Sequence, residues 1–372
     1  MATKVAMIGW EYPPFTVGGL GIHCAMLTRE LVKGGVEVDF YKPRINGSPT
    51  DTHVNFHELI LQSSVDPVTY DLKNFWGAVE EYNQKLVKAF DPSGVSLIHC
   101  HDWIGARAAI ALSKIHSIPL VVTVHSTEFD RSAFFNPQEW IANIERSMVH
   151  AAKRVIVVSG WTKTLVCEKY ARCDGVHVVH NGFNPLGVHK TDYERKGRII
   201  FLGRLTSQKG PRYLVEAARV ALKVIEFEVV FAGSGDSEAE IRRISQDLGI
   251  QQSVKLLGRV SDKEMKKWIV ESDAYVLPAV SEPFGMTVLE AMSAGLPTII
   301  SKTTGVGEAL TQVLKFDFWD TLELADLILA IELREPLRKT LGIEGKEETK
   351  KFSWEKCAQN TLEVYKRALS DG

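Results

Sequence analysis

Short β-branched runs alternate with longer amphipathic stretches along the chain, the pattern of βα units on a parallel sheet. In the first half, Val5–Gly9, Val36–Tyr41, Val95–Cys100, Leu120–Val124, Val155–Val158 and Val176–Val179 predict strands. Gly21–Lys33, Lys73–Phe90, Ile104–Ile115 and Trp161–Tyr170 predict the helices between them. The rhythm pauses over Asn181–Lys196, where Gly182, Pro185 and Gly187 mix with charge, and so long and polar a connection reads as a linker. It resumes with strands at Ile199–Leu202, Glu228–Phe231, Val254–Leu256, Tyr275–Leu277 and Thr298–Ile300. Pro211–Val224, Ser237–Leu248, Asp262–Val270 and Thr287–Ala294 are the helices that alternate with them. The expected fold class is α/β, with two Rossmann-like, doubly wound domains over residues 1–187 and 198–352 and a linker over 188–197. Beyond Leu333 the chain reads as helical, and a final helix within 353–372 carries Trp354, Cys357, Leu362, Tyr365 and Leu369 as one apolar face. Arg44–Asp71 is less regular and reads as an insertion over the first domain's edge, with Asn46-Gly47-Ser48 as a turn.

Composition narrows the class. A chain of 372 residues suits two domains, and 45% hydrophobic with 24% charged residues is a globular balance. A formal net charge of −2 offers no bulk attraction to nucleic acid or an anionic membrane, so any phosphate must be met by local cations. The five cysteines, at 24, 100, 167, 173 and 357, contain no C-x-x-C pair; they predict reduced thiols, not a disulfide framework or a zinc site. Met1–Gly9 is too short for a signal peptide, and no run approaches the ~20 apolar residues of a membrane span. The expected address is cytoplasmic, with no stable membrane insertion and the oligomeric state open.

The most informative segment runs from Ser281 to Met292, Ser-Glu-Pro-Phe-Gly-Met-Thr-Val-Leu-Glu-Ala-Met. It follows a strand and opens a helix. Pro283 and Gly285 suit a tight turn, and the N–H groups at Gly285, Met286 and Thr287, with the helix dipole, form an anion site fit for a diphosphate. Glu282 projects before the turn and Glu290 is expected in the helix's first turn, where one carboxylate serves a sugar and the other a ribose. Their alternative is a loop charge and a dipole-complementing acid. Upstream, Arg204 and Lys209 lie in Gly203-Arg204-Leu205-Thr206-Ser207-Gln208-Lys209-Gly210 after a strand, the edge at which open α/β sheets bind ligands. Gly233-Ser234-Gly235 lacks a third glycine, since Glu238 stands there; it reads as a tight turn and does not support NAD. Near the N-terminus, eight residues from Trp10 to Val17 separate the strand from Gly18 and Gly19. These glycines let backbone approach a phosphate at a helix start. His99-Cys100-His101-Asp102-Trp103 has the donors of a metal site but also reads as a polar strand end. His125 and Ser126 close another strand.

Taken together these segments resemble the retaining glycosyltransferases of GT-B architecture, the group that includes glycogen and starch synthases, over nearly the whole chain. The resemblance implies two domains facing across a cleft, with the last helix crossing back onto the first. It makes Glu282 and Glu290 the pair of the E-x₇-E motif, Glu282 against the donor sugar and Glu290 on the ribose. It sets Arg204 and Lys209 beside the leaving diphosphate and the main chain near Val260 at the base. Gly18 and Gly19 match the K-x-G-G-L loop, with two departures: Thr16 replaces the lysine, and Val17 precedes the glycines where threonine is usual. Glu11 and Asp102 fall near bound sugars, and His125 falls beside the anomeric centre. Ser126 stands where asparagine is common, and His180-Asn181-Gly182 matches the turn into the hinge. The implied activity is retaining transfer of a hexose, glucose first, from UDP- or ADP-glucose or a related donor to a glycan or small-molecule acceptor. No cofactor and no metal are expected, since Arg204 and Lys209 supply the positive charge. A lipid- or small-molecule-directed transferase of the same fold and a nucleotide-sugar epimerase are the alternatives, followed by a non-catalytic sugar-binding protein.

Overall fold

The computed structural model describes residues 3–16, 18–45, 47–62 and 72–370. Val17, Asn46 and residues 63–71 of the irregular stretch lie outside the described residues, as does the side chain of Lys73. The chain divides into two units. The first comprises residues 1–128, 137–182 and 352–372, and the second residues 129–136 and 183–351.

The elements follow in chain order. They begin with β1 (Lys4–Ile8), α1 (Gly19–Lys33), β2 (Glu37–Pro43), β3 (Asn55–Leu59), α2 (Leu72–Ala89), β4 (Leu97–His101) and α3 (Ala106–His116). Next come β5 (Leu120–Val124), α4 (Glu128–Arg131), α5 (Glu139–Ala151), β6 (Arg154–Val157), α6 (Gly160–Tyr170) and β7 (Val176–Val178). The second sheet starts at β8 (Arg198–Leu202) and continues through α7 (Pro211–Ala221), β9 (Glu228–Ala232), α8 (Glu238–Asp247), β10 (Val254–Gly258) and α9 (Asp262–Val270). It finishes with β11 (Ala274–Leu277), α10 (Met286–Ser293), β12 (Thr298–Ser301) and β13 (Leu314–Phe316), followed by α11 (Thr321–Leu333) and α12 (Glu335–Glu348). The last helix, α13 (Trp354–Ser370), returns to the first unit.

Local chemistry accounts for several boundaries. Ser261 and Glu264 form a reciprocal capping box at α9, which satisfies two of the main-chain donors a helix start leaves open. Ser159 caps α6 by accepting from the Thr162 N–H, and Asp320 caps α11 through the Glu323 N–H. Pro211 occupies the first turn of α7, where its missing N–H costs nothing.

The first unit carries a seven-stranded sheet in the order β3-β2-β1-β4-β5-β6-β7, and the second a six-stranded sheet in the order β10-β9-β8-β11-β12-β13. Every pairing between named strands is parallel. Strand order reverses between β1 and β4, and again between β8 and β11, the position where doubly wound sheets open a crevice at the strands' carboxyl ends. Val5, Ile98, Val121 and Val122 of the first core, and Ile199, Val229, Val276 and Ile299 of the second, are wholly buried.

Several readings of the sequence change. The stretch read as an irregular insertion contains β3, which extends the sheet beside β2; Asn55 donates to Asp39, and buried Lys42 pairs with Glu58. Its Asn-Phe-His-Glu-Leu sequence is too polar to read as a strand because an edge strand has one half-exposed flank. Helices α4, α5 and α11 and the short β13 are additions as well. Residues 188–197 form no helix or strand yet are fastened down: Lys190 Nζ donates to the Ser272 carbonyl at 2.8 Å and Tyr193 Oη to the Gly295 carbonyl at 3.2 Å. The expectation of five reduced thiols is corrected too. Cys167 and Cys173 are joined as a disulfide, because Ala171 at φ 54° turns the chain back after α6 and brings their Cα atoms to 4.8 Å. Cys24, Cys100 and Cys357 are free and buried. No helix among the described residues is long and apolar enough to cross a membrane.

Helix α13 lies along α1 and reaches β5 and β6. Its buried stripe is Trp354, Cys357, Ala358, Thr361, Val364, Tyr365 and Ala368, whereas Leu369, read as part of that stripe, is 40% exposed. Tyr365 Oη shares a 2.7 Å hydrogen bond with His99 Nδ1, whose Nε2 meets Thr123 Oγ1 at 2.7 Å. Removing one partner of a buried hydrogen bond leaves the other desolvated and unpaired, at a cost of about 1–3 kcal/mol. Tyr365→Phe is therefore expected to lower unfolding stability by that amount in a denaturant titration. An unchanged midpoint and slope would show that this contact does not fasten α13.

Candidate active site

In the second unit the chemistry gathers on the loops leaving β8, β9, β10 and β11. The turns after β8 and β9 touch: Gly203 N–H donates to Ala232 O at 3.1 Å and Leu205 N–H to Ser234 O at 3.0 Å. A Cβ on Gly233 would fall 1.8 Å from the Gly203 carbonyl oxygen, and its φ is 147°, so this contact requires glycine. The Gly233 N–H in turn donates to Gly258 O at 2.8 Å, which carries the Arg259–Val260 loop alongside.

Lys209 and Glu282 are brought together by main-chain bonds. The Gln208 carbonyl accepts from the Val280 and Ser281 N–H groups at 2.9 and 3.3 Å, and Glu282 N–H donates to Thr303 O at 3.1 Å. On that frame Lys209 Nζ forms an ion pair with Glu282 Oε2, with side chains 18% and 9% exposed. Glu282 Oε1 also accepts the Phe284 N–H at 3.3 Å. Arg204 is exposed and forms no ion pair among the described residues. Gly285, at φ 107°, begins α10 without a side-chain cap, so the N–H groups of Met286 and Thr287 open the helix. The Thr287 hydroxyl is engaged by Tyr275 Oη at 2.8 Å.

Glu290 is displaced from its expected position. Helix α10 starts at Met286, so Glu290 lies in its second turn and the first turn carries no acid. The dipole-complementing role falls away, since that effect fades within the first turn. Burial, and to a lesser degree Asp262, raises its pKa to about 7.

In the first unit the residues come from the loops after β1, β4 and β5. Glu11 is buried, and its Oε2 accepts the Gly18 N–H at 3.4 Å. Open space surrounds the position of a Gly18 Cβ, whereas a Cβ on Gly21 would meet Thr16 Cγ2 at 2.5 Å and Glu11 Cβ at 3.2 Å. Gly21, which the sequence did not single out, is therefore the glycine that packing demands. Asp102 takes a left-handed φ of 56°, a conformation aspartate tolerates better than most residues. From there Oδ1 accepts the His125 N–H at 2.7 Å. His125 Nε2 shares a 3.0 Å hydrogen bond with His101 Nδ1. Ser126 Oγ donates to the Thr127 carbonyl at 3.3 Å.

His23 was also missed. It lies on the buried face of α1 with Cys24, Leu27 and Leu31, and its ring centroid is 4.4 Å from that of His125. A polar ring within an apolar helical stripe was the available signal.

Comparison with known proteins identifies the family. The sequence pattern of Glycosyltransferase Family 4 matches residues 17–185, and that of Glycosyl transferases group 1 matches residues 189–348. An uncharacterized glycosyltransferase of Methanocaldococcus jannaschii is 32% identical, over 98% of each chain. The chain is a glycosyltransferase of the GT-B type. A glycogen synthase of Mycobacterium tuberculosis is 25% identical over 97% of this chain and 94% of its own. The sucrose-phosphate synthase structure from Thermosynechococcus elongatus superposes with a TM-score of 0.79 at 20% identity, over 100% of both chains.

Within this glycosyltransferase the two clusters differ electrically. The second unit sets an ion pair and an exposed guanidinium at its strand ends. The first sets imidazoles that burial holds neutral: the pKa of His125 is lowered to about 3 by desolvation. His23, His99 and His101 are lowered as well, by burial first and then by their mutual repulsion.

The Lys209–Glu282 pair is largely shielded, so its partners depend on each other. A double-mutant cycle of Lys209→Met and Glu282→Gln is expected to give a coupling energy of about 0.5–3 kcal/mol in unfolding experiments. Strict additivity would show that the pair contributes nothing to the loop.

Proposed function

We propose that this glycosyltransferase transfers a hexose, glucose first, from a nucleoside-diphosphate sugar to a glycan acceptor and retains the α configuration. The Lys209–Glu282 pair carries the reading, since it puts an ammonium and a carboxylate together at the start of α10. Leaving-group departure builds negative charge on phosphate and positive charge on the sugar ring, and fixed charges of both signs stabilise such a transition state. Lys209 and Arg204 answer the first charge with the N–H groups of Met286 and Thr287. Glu282 answers the second, together with the neutral ring of His125. The bond from the anomeric carbon to phosphate oxygen breaks and the acceptor oxygen bonds to that carbon from the same face. The acceptor's proton passes to the leaving phosphate, and because the acceptor itself attacks from that face, no covalent glycosyl-enzyme is needed. Glu11, Asp102 and Ser126 serve the sugars, and the loop at Val260 serves the base. The two basic side chains make a metal unnecessary. The likeness to a glycogen synthase supports glucose and a glucan.

Two experiments test these roles. Loss of a preorganised charge costs ~10²–10³ in kcat, and Arg204→Ala, Lys209→Ala and Glu282→Ala are each expected to fall at least that far with UDP- or ADP-glucose. Calorimetry separates their causes: the two cation variants bind free nucleoside diphosphate much more weakly, while Glu282→Ala keeps its affinity within a few-fold. A Glu282→Ala enzyme that loses nucleotide affinity, or keeps its rate, overturns the assignment.

Glu290 provides a pH signature. Only its ionised form accepts two ribose hydroxyl hydrogen bonds, and with a pKa of about 7 it is mostly protonated at pH 6. Nucleotide affinity is thus expected to fall about tenfold from pH 8 to pH 6, beyond any change in Glu290→Gln. Subtracting the variant's profile removes the phosphate's own titration. Identical profiles would take Glu290 off the ribose.

A further inference from the structure

The histidines of the first unit hold an unexplained feature. One ring nitrogen from each of His23, His101 and His125 lies within 4.8 Å of the others. Neither nitrogen of His23 has a partner at direct hydrogen-bond geometry, although Asn181 stands near enough to favour the charged ring, and His101 Nε2 has none; all three atoms are buried. Buried polar atoms are nearly always satisfied, and an exception calls for a reason such as a bound ion. The ring of His23 thus brings an unsatisfied nitrogen to a place where nitrogens of two other imidazoles already stand.

We propose that His23, His101 and His125 form a three-histidine site for a borderline transition-metal ion, with Zn²⁺ as the ion, and that occupancy switches the enzyme off. Zinc accepts three imidazoles and leaves a fourth position for water; bonds of ~2.0–2.1 Å set tetrahedral ligand nitrogens roughly 3.3 Å apart. His101 Nδ1 and His125 Nε2 already stand at 3.0 Å, and a nitrogen of His23 lies within 4.8 Å of theirs, so binding draws the His23 ring inward and replaces the hydrogen bond between the other two. The donors are sound: burial keeps the imidazoles unprotonated, and neutral nitrogen is the form that binds metal. The ring of His99, 4.2 Å from that of His101, adds a further neutral neighbour. Counter-charge is close, since both Glu11 and Asp102 act electrostatically on Cys24, the residue next to His23. Asp102 fixes the main chain of His125, and His125 is the one residue of the three that is not fully buried.

The inhibitory part rests on the role proposed above for His125. A ring bound to zinc no longer faces the sugar, so the ion blocks transfer without taking part in it. The binding part stands independently, because cobalt(II) reports it without any sugar transfer.

Cobalt titrated into the full-length protein is expected to give one equivalent of the visible absorption of four-coordinate Co²⁺, displaced by zinc. Affinity should drop at least tenfold in His23→Gln and in His101→Gln and stay unchanged in His189→Ala, whose histidine is exposed in the second unit. Transfer by the unmodified enzyme should persist in EDTA, fall at least tenfold with one equivalent of zinc, and return on chelation. Should either glutamine variant fail to fold, long-range ¹H–¹⁵N spectra of the unmodified protein decide, with zinc shifting the ring signals of His23, His101 and His125 together. Absence of a stoichiometric cobalt spectrum, affinity unchanged in both folded variants, or ring shifts confined to other histidines overturns the site. Zinc bound at these three rings with transfer unimpaired overturns the switch.

Discussion

Strand direction is the constraint from which the candidate site follows. Because every named pairing is parallel, each sheet sends all its strands' carboxyl ends to one edge. The helices must then carry the chain back along the faces. Loops that are far apart in sequence meet at that edge. Lys209 and Glu282, on the loops after β8 and β11, become neighbours because those strands pair at the reversal of strand order. Asp102 and His125 meet by the same logic after β4 and β5. The geometry allows that approach only where side chains are absent: Gly210 lets the β8 loop run where its Cβ would stand 2.1 Å from the Pro278 oxygen.

Within that frame, each edge settles its polar groups differently. The second unit shields a cation and an anion against each other and leaves another cation exposed, an arrangement suited to a ligand that is already charged. The first unit removes charge. Desolvation in a poorly solvated space lowers the pKa of all four clustered histidines, and repulsion between rings adds to it for His23, His99 and His101. What remains is a set of dipoles and lone pairs held by main chain and by α13. That helix satisfies His99 through Tyr365 and leaves the rings of His23 and His101 with bonding capacity to spare.

The packing of α13 shows how widely a sequence-distant element governs the site. Gly182 admits the Trp354 main chain, since a Cβ there would lie 2.4 Å from the Trp354 nitrogen. Its neighbour Asn181 faces His23 and favours the charged form of that ring. The polar turn between the last strand of the first sheet and the second unit is thus part of the histidine cluster's surroundings, as well as a connection.

Periodicity in the sequence determined the two α/β sheets, the helices with strong apolar stripes, and the segments that carry Arg204, Lys209, Glu282, Asp102 and His125. These are properties of neighbours within a few positions, which hydrophobic spacing and turn residues report directly. Tertiary structure decided the rest. Edge strand β3 escaped notice because its stability comes from pairing with β2 and from Asp39 and Lys42, not from its own pattern. Glu290 moved a turn along its helix because Gly285, not a polar cap, sets where α10 begins. The Cys167–Cys173 link depends on the φ of Ala171, which spacing does not encode. The third histidine of the cluster lay hidden in an apolar stripe. Only the packing of α1 against β2 and α13 brings His23 to His101 and His125, because contacts between distant segments are set by how faces fit together and not by the letters around each residue.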